Sequence, residues 1–390
     1  MNKLLITNAR IYTPLHPVFT GWLLAEDKKI FSFSKGQPSA ELAAAADRTI
    51  DAGGKALLPG FIDIHTHGGL GYCTMDADPV RLRAIAERNA QHGVTGFLPT
   101  TLTARYKPTV AAIEAATSMI GERGKGAKVF GVHLEGPYFN LAKAGAQDPD
   151  SIRRADPKEV RDFIRAGKIR LIAMAPEYPE NLAAGDIFAS EGITVSAGHT
   201  DSNYVHLVEA AKHGFSLVTH LFNGMKAFSH REPGTIGGAL TLDDYTVEMI
   251  CDNVHSHPAA QNLAYRAKGS RGIILITDCI RPSGLPDGSY PFTDTVNVTV
   301  SENGTNLRLP GGNLAGSALT MDRALRNFSA NTGASLDEIW RCSSLNAAIK
   351  IGVSGETGSI EKGKLADLVL MTDEFDVTHT IIDGQVVYER

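Results

Sequence analysis

Ala56-Leu57-Leu58-Pro59-Gly60-Phe61-Ile62-Asp63-Ile64-His65-Thr66-His67 is the stretch that decides how this chain folds. It is an apolar run that closes on two histidines spaced two residues apart. Alternate residues of a β-strand project to the same side, so both imidazoles point together. Imidazole is a common ligand of zinc, iron and related ions. In a chain with 13 histidines one such pair means little; repetition gives it weight. Glu135, His199, His220 and Asp278 each stand at or near the end of another short apolar run.

Outward from this stretch, apolar runs recur at 93–100, 128–137, 169–177, 193–200, 217–223, 248–255 and 273–278. Their continuous rather than alternating apolarity suits parallel strands covered on both faces. Between them lie helix signals. Asp78-Pro79 opens a periodic stretch that stops at Gly93, Asp156-Pro157 opens one that stops at Gly167, and a third runs from Ser202 to Gly214. Asp before Pro supplies an N-cap and a first helical residue. Eight strand–helix units predict an α/β fold, a (β/α)8 TIM barrel over 56–355.

The two ends read differently. Residues 1–55 break into short strands at 4–6, 10–12, 21–25 and 29–33, and 356–390 into strands at 368–370, 380–382 and 385–388, with a hairpin turn at Asp383-Gly384. Neither end can bury a face alone, so both are expected to join in one small β-sandwich domain. The Gly-, Pro- and Asp-rich stretch 281–312, with a β-like segment at 295–300, interrupts the last unit. It is either a loop over the barrel mouth or a decorative hairpin.

Composition narrows the functional classes. Hydrophobic content of 43% and charged content of 21% are those of an ordinary globular protein. A net charge of −5 supplies no basic face for nucleic acid or a membrane surface. No apolar stretch approaches ~18 residues, and the first residues lack a signal-peptide core. Four scattered cysteines, Cys73, Cys251, Cys279 and Cys342, read as reduced, and the expected location is cytoplasmic.

Reactive groups of such barrels gather at the C-terminal ends of the strands. Glu135, His199 and His220 offer one carboxylate and two imidazoles, which leaves an open position on a divalent metal cation such as zinc or iron. His65 and His67 could hold a second ion, with Glu135 bridging. Asp278 suits proton transfer beside a metal-acidified water, or further ligation. His133, one layer below Glu135, reads equally as core packing or as support for a ligand. Asn223, Arg231 and His255 are candidates for sugar or phosphate recognition. Arg231, by residue type alone, reads as a solvent-exposed arginine.

These motifs together resemble the amidohydrolase superfamily and, along essentially the whole chain, its N-acetylglucosamine-6-phosphate deacetylase family. The resemblance rests on 59–67, on His133-Leu134-Glu135-Gly136-Pro137, on Ser196-Ala197-Gly198-His199-Thr200 and on Thr219-His220-Leu221-Phe222-Asn223-Gly224-Met225. Asp252-Asn253-Val254-His255, Thr277-Asp278, Leu314-Ala315-Gly316-Ser317 and the closing 363–369 continue it. The resemblance implies that Glu135, His199 and His220 bind the principal metal, with one or two ions per subunit. It implies Asp278 as general base and then general acid. It places Asn223, Gly224, Arg231, His255, Leu314, Ala315, Gly316 and Ser317 against the substrate, a small sugar phosphate. It further implies a homodimer whose subunits meet near the phosphate, and a reaction that releases acetate.

Three positions depart from the family pattern. Gln147 stands where a histidine is frequent, and its amide can bond a carbonyl but carries no charge. Asn253 replaces a usual glycine and Gly224 a frequent alanine, both expected beside the sugar and able to alter which hexosamine epimer fits. Some relatives lack the first two histidines; this chain keeps His65 and His67. The cyclic-amide hydrolases of the superfamily carry a lysine at the end of the fourth strand. Here that strand closes Ala173-Met174-Ala175-Pro176-Glu177, which disfavours them. A barrel that kept its shape and lost its chemistry would not need these ligands together with Asp278.

Overall fold

The computed structural model describes residues 3–122, 124–293 and 296–390. Eight parallel strands form the barrel: Phe61–Thr66, Val94–Pro99, Val132–Glu135, Ile169–Met174, Thr194–Ala197, Phe215–Val218, Thr246–Ile250 and Ile273–Ile276. The first pairs with the second, and the third to the eighth pair in sequence order. A parallel bridge between Thr100 and His133 joins the second strand to the third. The Asp278 N–H donates to the His65 carbonyl at 2.8 Å and closes the ring between the eighth strand and the first.

The strands are buried along their length, as continuous apolarity requires. Among the polar side chains that enter this core, Asp63, His65, Glu135 and Glu248 bear on the site below. The helices begin where the sequence signals them. Asp78 accepts from the Val80 N–H at 2.8 Å ahead of Pro79–Gln91, and Asp156 accepts from Lys158 and Glu159 ahead of Pro157–Ala166. The third begins slightly later than read, at Tyr204–Lys212, because Asn203 rather than Ser202 supplies the cap.

The two ends of the chain do meet in a small β domain. Its strands, Lys3–Thr13, His16–Glu26, Lys29–Lys35, Arg48–Asp51, Ala56–Pro59, Leu368–Met371, Val377–Ile382 and Gln385–Glu389, share one hydrogen-bonded sheet. The sheet curls until Lys29 bridges Leu365, so that its inner face encloses Leu4, Ile6, Leu23, Leu57, Leu368 and Ile381.

One boundary differs from the reading of the sequence. The run 56–67 is two strands, not one. Ala56–Pro59 pairs with Leu368–Met371 and with Arg10 and Ile11, and so belongs to the small sheet. At Gly60 the chain passes close over Thr95, where a Cβ would lie 2.1 Å from its Oγ1, and enters the barrel. Apolarity hid this change of sheet because both segments are buried. Leu57 faces the small core while Ala56 and Leu58 face the barrel core, the two-residue alternation of a strand between two interiors.

Within the expected insertion, three strands, Gly288–Pro291, Asn297–Ser301 and Asn306–Arg308, form an antiparallel sheet over the barrel mouth. Thr295, the start of the expected β-like segment, lies outside the described residues, as do Met1 and Asn2. The little sheet has its own core of Phe292, Val298, Val300 and Leu307, packed on Ile280, Ala315 and Leu102. Phe292 also lines the cavity at the mouth, so the insertion reaches the mouth rather than standing clear of it. Among the described residues no helix is long and apolar enough to cross a membrane.

Candidate functional site

The mouth of the barrel gathers His65, His67, Glu135, His199, His220 and Asp278, all buried. Glu135 ends the third strand directly. His199, His220 and Asp278 each stand two residues beyond a strand end with left-handed backbone, φ 45°, 30° and 51°. That conformation is costly for residues with a Cβ and concentrates where side chains must be aimed. Here it turns three side chains back over the mouth.

Each of the four histidines is anchored through Nδ1. His65 meets Glu248 Oε2 at 3.0 Å, His67 the Thr100 carbonyl at 3.2 Å, His199 the Lys143 carbonyl at 2.8 Å and His220 the Asn223 carbonyl at 3.1 Å. An acceptor at every Nδ1 fixes the hydrogen there and leaves every Nε2 to converge on the mouth. This is the outer support that metal-binding imidazoles receive.

The Nε2 atoms fall into two sets. In one, Glu135 Oε1 lies 3.2 Å from His220 Nε2 and 3.4 Å from His199 Nε2, and the two nitrogens are 3.2 Å apart. In the other, His65 Nε2 and His67 Nε2 are 3.3 Å apart, and Asp278 Oδ1 is 3.5 Å and 3.2 Å from them. Donors held at zinc distances of ~2.0–2.1 Å around a tetrahedral centre lie about 3.3–3.4 Å from one another. Both sets match that edge, and both fall among the clusters able to hold an ion. Paired imidazole lone pairs at such distances repel unless positive charge lies between them. Glu135 spans the sets, with Oε1 also 3.4 Å from His65 Nε2 and Oε2 3.3 Å from His67 Nε2. The residues fit a divalent cation.

The electrostatics agree. Burial pushes the His65 imidazole down, yet Glu135, Asp278 and Glu248 outweigh it and hold it well above its ordinary range. His67, equally buried, is drawn up to about 9 by Asp278 and Glu135. Burial would raise Glu135, but the surrounding imidazoles hold its carboxyl well below the usual range. The cluster holds positive charge tightly, and a divalent cation would replace protons on these imidazoles.

Of the remaining sequence-predicted residues, Gln147, Asn223, Gly224, His255, Leu314 and Gly316 line the cavity. Gln147 donates through Nε2 to Glu135 Oε2 and accepts the Thr103 N–H at 2.7 Å. His255 is tied through Nδ1 to Asp252 Oδ2 at 2.7 Å. Ala315 and Ser317 stand behind the wall: Ala315 packs in the lid core, and the Ser317 hydroxyl holds the Thr277 carbonyl and accepts the Leu319 N–H. Arg231 is exposed on its loop and is not part of the cavity wall.

Asn253 is also not where the sequence suggested. Its Oδ1 accepts from Asn331 at 2.6 Å and from Gln261 at 3.1 Å, so the side chain faces the helices behind the mouth rather than the cavity. Its left-handed backbone, φ 68°, explains why glycine is at home there.

Sequence reasoning passed over Glu248, Asp63 and Phe292. The first two carried a signal, since each is a lone acid inside an otherwise apolar strand, Val247-Glu248-Met249-Ile250 and Phe61-Ile62-Asp63-Ile64. Such a charge is buried only with partners. Phe292 carried none, because its place depends on how the lid folds back.

Comparison with known proteins agrees with this geometry. The model of the amidohydrolase family matches residues 56–387. The chain is 38% identical over 395 residues to N-acetylglucosamine-6-phosphate deacetylase of Bacillus subtilis (strain 168), covering 99% of this chain and 97% of that one. It is 36% identical over 332 residues to N-acetylgalactosamine-6-phosphate deacetylase of Escherichia coli O157:H7, covering 85% and 87%. A mutant of N-acetyl-D-glucosamine-6-phosphate deacetylase from Mycobacterium smegmatis, solved in complex with N-acetyl-D-glucosamine-6-phosphate, superposes over the full length of both chains with a TM-score of 0.91 at 28% identity. With a metal-fitting barrel mouth, a small β domain built from both ends and likeness over nearly every residue, the chain belongs to the amidohydrolase family.

Proposed function

We propose that this protein hydrolyses the acetamide of N-acetyl-D-glucosamine 6-phosphate to D-glucosamine 6-phosphate and acetate. The observation that carries this reading is the convergence of four Nδ1-anchored imidazoles and two carboxylates on one cavity, in a chain with deacetylase relatives. Glu135, His199 and His220 would hold the principal divalent cation, zinc or iron by donor type, and His65 and His67 a second. When bound, such a cation supplies Lewis acidity, polarising a carbonyl and lowering the pKa of a water. Asp278 faces the reacting centre, takes the proton of the attacking water and returns it to the departing amine.

Recognition falls to the rim. Asn223, Gly224, Leu314 and Gly316 shape the wall around the sugar, and His255, steadied by Asp252, offers its remaining nitrogen. Gln147 presents a neutral amide at the acetyl end. Arg231 suits a phosphate by its forked donors, and we assign it to a neighbouring subunit's substrate because it is exposed and off the wall of its own cavity. The exposed apolar residues Phe228 and Val205 nearby, 60% and 69% accessible, give a homodimer a surface to bury. Four free and buried cysteines fit a reducing compartment, the cytoplasm.

A second reading is deacetylation of the galactosamine epimer, favoured by the Escherichia coli relative at nearly equal identity. The deciding experiment incubates metal-replete protein with the 6-phosphates of N-acetylglucosamine, N-acetylgalactosamine and N-acetylmannosamine and measures acetate. Fastest release from the first supports the proposal; preference for the second transfers it to the epimer; release from none removes it.

A further inference from the structure

Glu248 lies beneath both donor sets, fully buried in the seventh strand, and does three things at once. Its Oε2 faces His65 Nδ1 at 3.0 Å and accepts the His220 N–H at 3.3 Å, while its main-chain carbonyl accepts the Leu221 N–H at 2.8 Å. One residue thus steadies a ligand of each set, and His220 is held where its backbone is already left-handed. The other oxygen, Oε1, has no partner.

His133 completes the picture. It is fully buried, its ring stands edge-on 4.5 Å from that of His65, and with His65 and Glu248 it forms a third close cluster. Its Nδ1 faces the Ile64 carbonyl at 3.0 Å, so that nitrogen carries the hydrogen. Its Nε2 is left as an acceptor without a donor. Glu248 Oε1 and His133 Nε2 are therefore two buried acceptors below the site that receive no hydrogen, an arrangement that costs stability. An amide in place of the carboxylate would keep, through its oxygen, both bonds that Oε2 makes, without burying a charge. The fold alone would thus be served at least as well by glutamine.

We infer that Glu248 is a positioning residue whose negative charge is retained for the cation site: it locks His65 in the tautomer that presents Nε2 and, through the His220 N–H, keeps both donor sets in register. This rests on the metal reading above. A carboxylate behind a ligating imidazole raises the basicity of the ligand, and loss of such a partner weakens metal affinity by about 10- to 100-fold.

The test is Glu248→Gln in the full chain, read by zinc content after dialysis, by zinc affinity in competition with a chelator, and by melting of the metal-free protein. The amide oxygen can still accept from His65 and His220, and the substitution removes a buried charge. The expected result is metal-free melting equal to or above that of the parent, with zinc retained about 10- to 100-fold more weakly. Glu248→Asp, which keeps the charge and loses reach, should fall between in affinity and melt lower. Equal zinc affinity in parent and Glu248→Gln would overturn the inference and leave Glu248 a structural residue. So would a Glu248→Gln protein that fails to fold while Glu248→Asp folds and binds zinc as the parent does. A parent that binds no zinc would instead remove the metal reading itself.

Discussion

Thr277 gives both its backbone N–H, at 3.3 Å, and its hydroxyl, at 2.5 Å, to the carboxylate of Asp63 across the closing seam of the barrel. The same carboxylate accepts the His65 N–H at 3.2 Å. The latch therefore joins the strand that carries His65 and His67 to the one that carries Asp278. Burial pushes the Asp63 carboxyl up to about 6 although Thr277 and the His65 N–H pull it down. Replacing Thr277 by Val removes one of these donors and leaves a buried acceptor oxygen. Chemical denaturation should show a loss of about 1–3 kcal/mol, and turnover should fall with it because Asp278 is the next residue.

Asp278 itself offers the sharpest separation of chemistry from binding. Asp278→Asn keeps an oxygen toward His67 but cannot take a proton. Bound metal measured by mass spectrometry should stay near the parent level, while kcat drops by about 10²–10⁴-fold. Parent-like turnover would remove the proposed base.

Arg231→Ala tests recognition at a distance. Loss of a charge-assisted bond to phosphate is worth about 1.5–3 kcal/mol, so KM should rise roughly 10- to 100-fold while kcat changes little. Because Arg231 is exposed and off the cavity wall, the effect should appear only under conditions where sedimentation shows a dimer. An unchanged KM in the dimer would dismiss the anchor.

Lys128 sits just before the third strand and binds Asp367 at 2.7 Å and Asp383 at 2.8 Å, tying the barrel to the small domain. Burial lowers the Lys128 amine, but the two aspartates outweigh it and raise it above 10.5. Its contribution is complete below that value and is lost as pH rises through the raised pKa. Burial raises Asp383, but Lys128 and then Lys28 outweigh it and hold it below 3.8. Its contribution is complete above 3.8 and is lost as pH falls through the lowered pKa. Lys128→Met leaves Asp367 buried without its cation and should cost about 3–5 kcal/mol at neutral pH. Unfolding followed from pH 3 to 11 should lose the alkaline decline due to Lys128 and only part of the acid decline, since Lys28 stays on Asp383.

The barrel was legible because its strands are short, apolar and separated by capped helices, and the cluster at its mouth was legible because strand ends are where such barrels gather reactive groups. What stayed hidden depended on direction rather than type. Nothing in Asn253 says that its side chain turns to Asn331, nor in Ser317 that its hydroxyl is spent on Thr277. Arg231 is a clear donor by type, yet nothing in its residue type says that it stands exposed and off the cavity wall. The split of 56–67 was invisible for a different reason: two adjoining strands that bury their side chains in different interiors have the same composition as one.

That shared strand has a mechanical result. Ala56–Pro59 is rooted among the terminal strands, and only Gly60 separates it from the segment that ends in His65 and His67. Fraying of either chain end would travel through a few residues to the imidazoles. The small lobe is a footing for the candidate site, and a variant shortened at its tail should lose zinc in dialysis before it loses its fold.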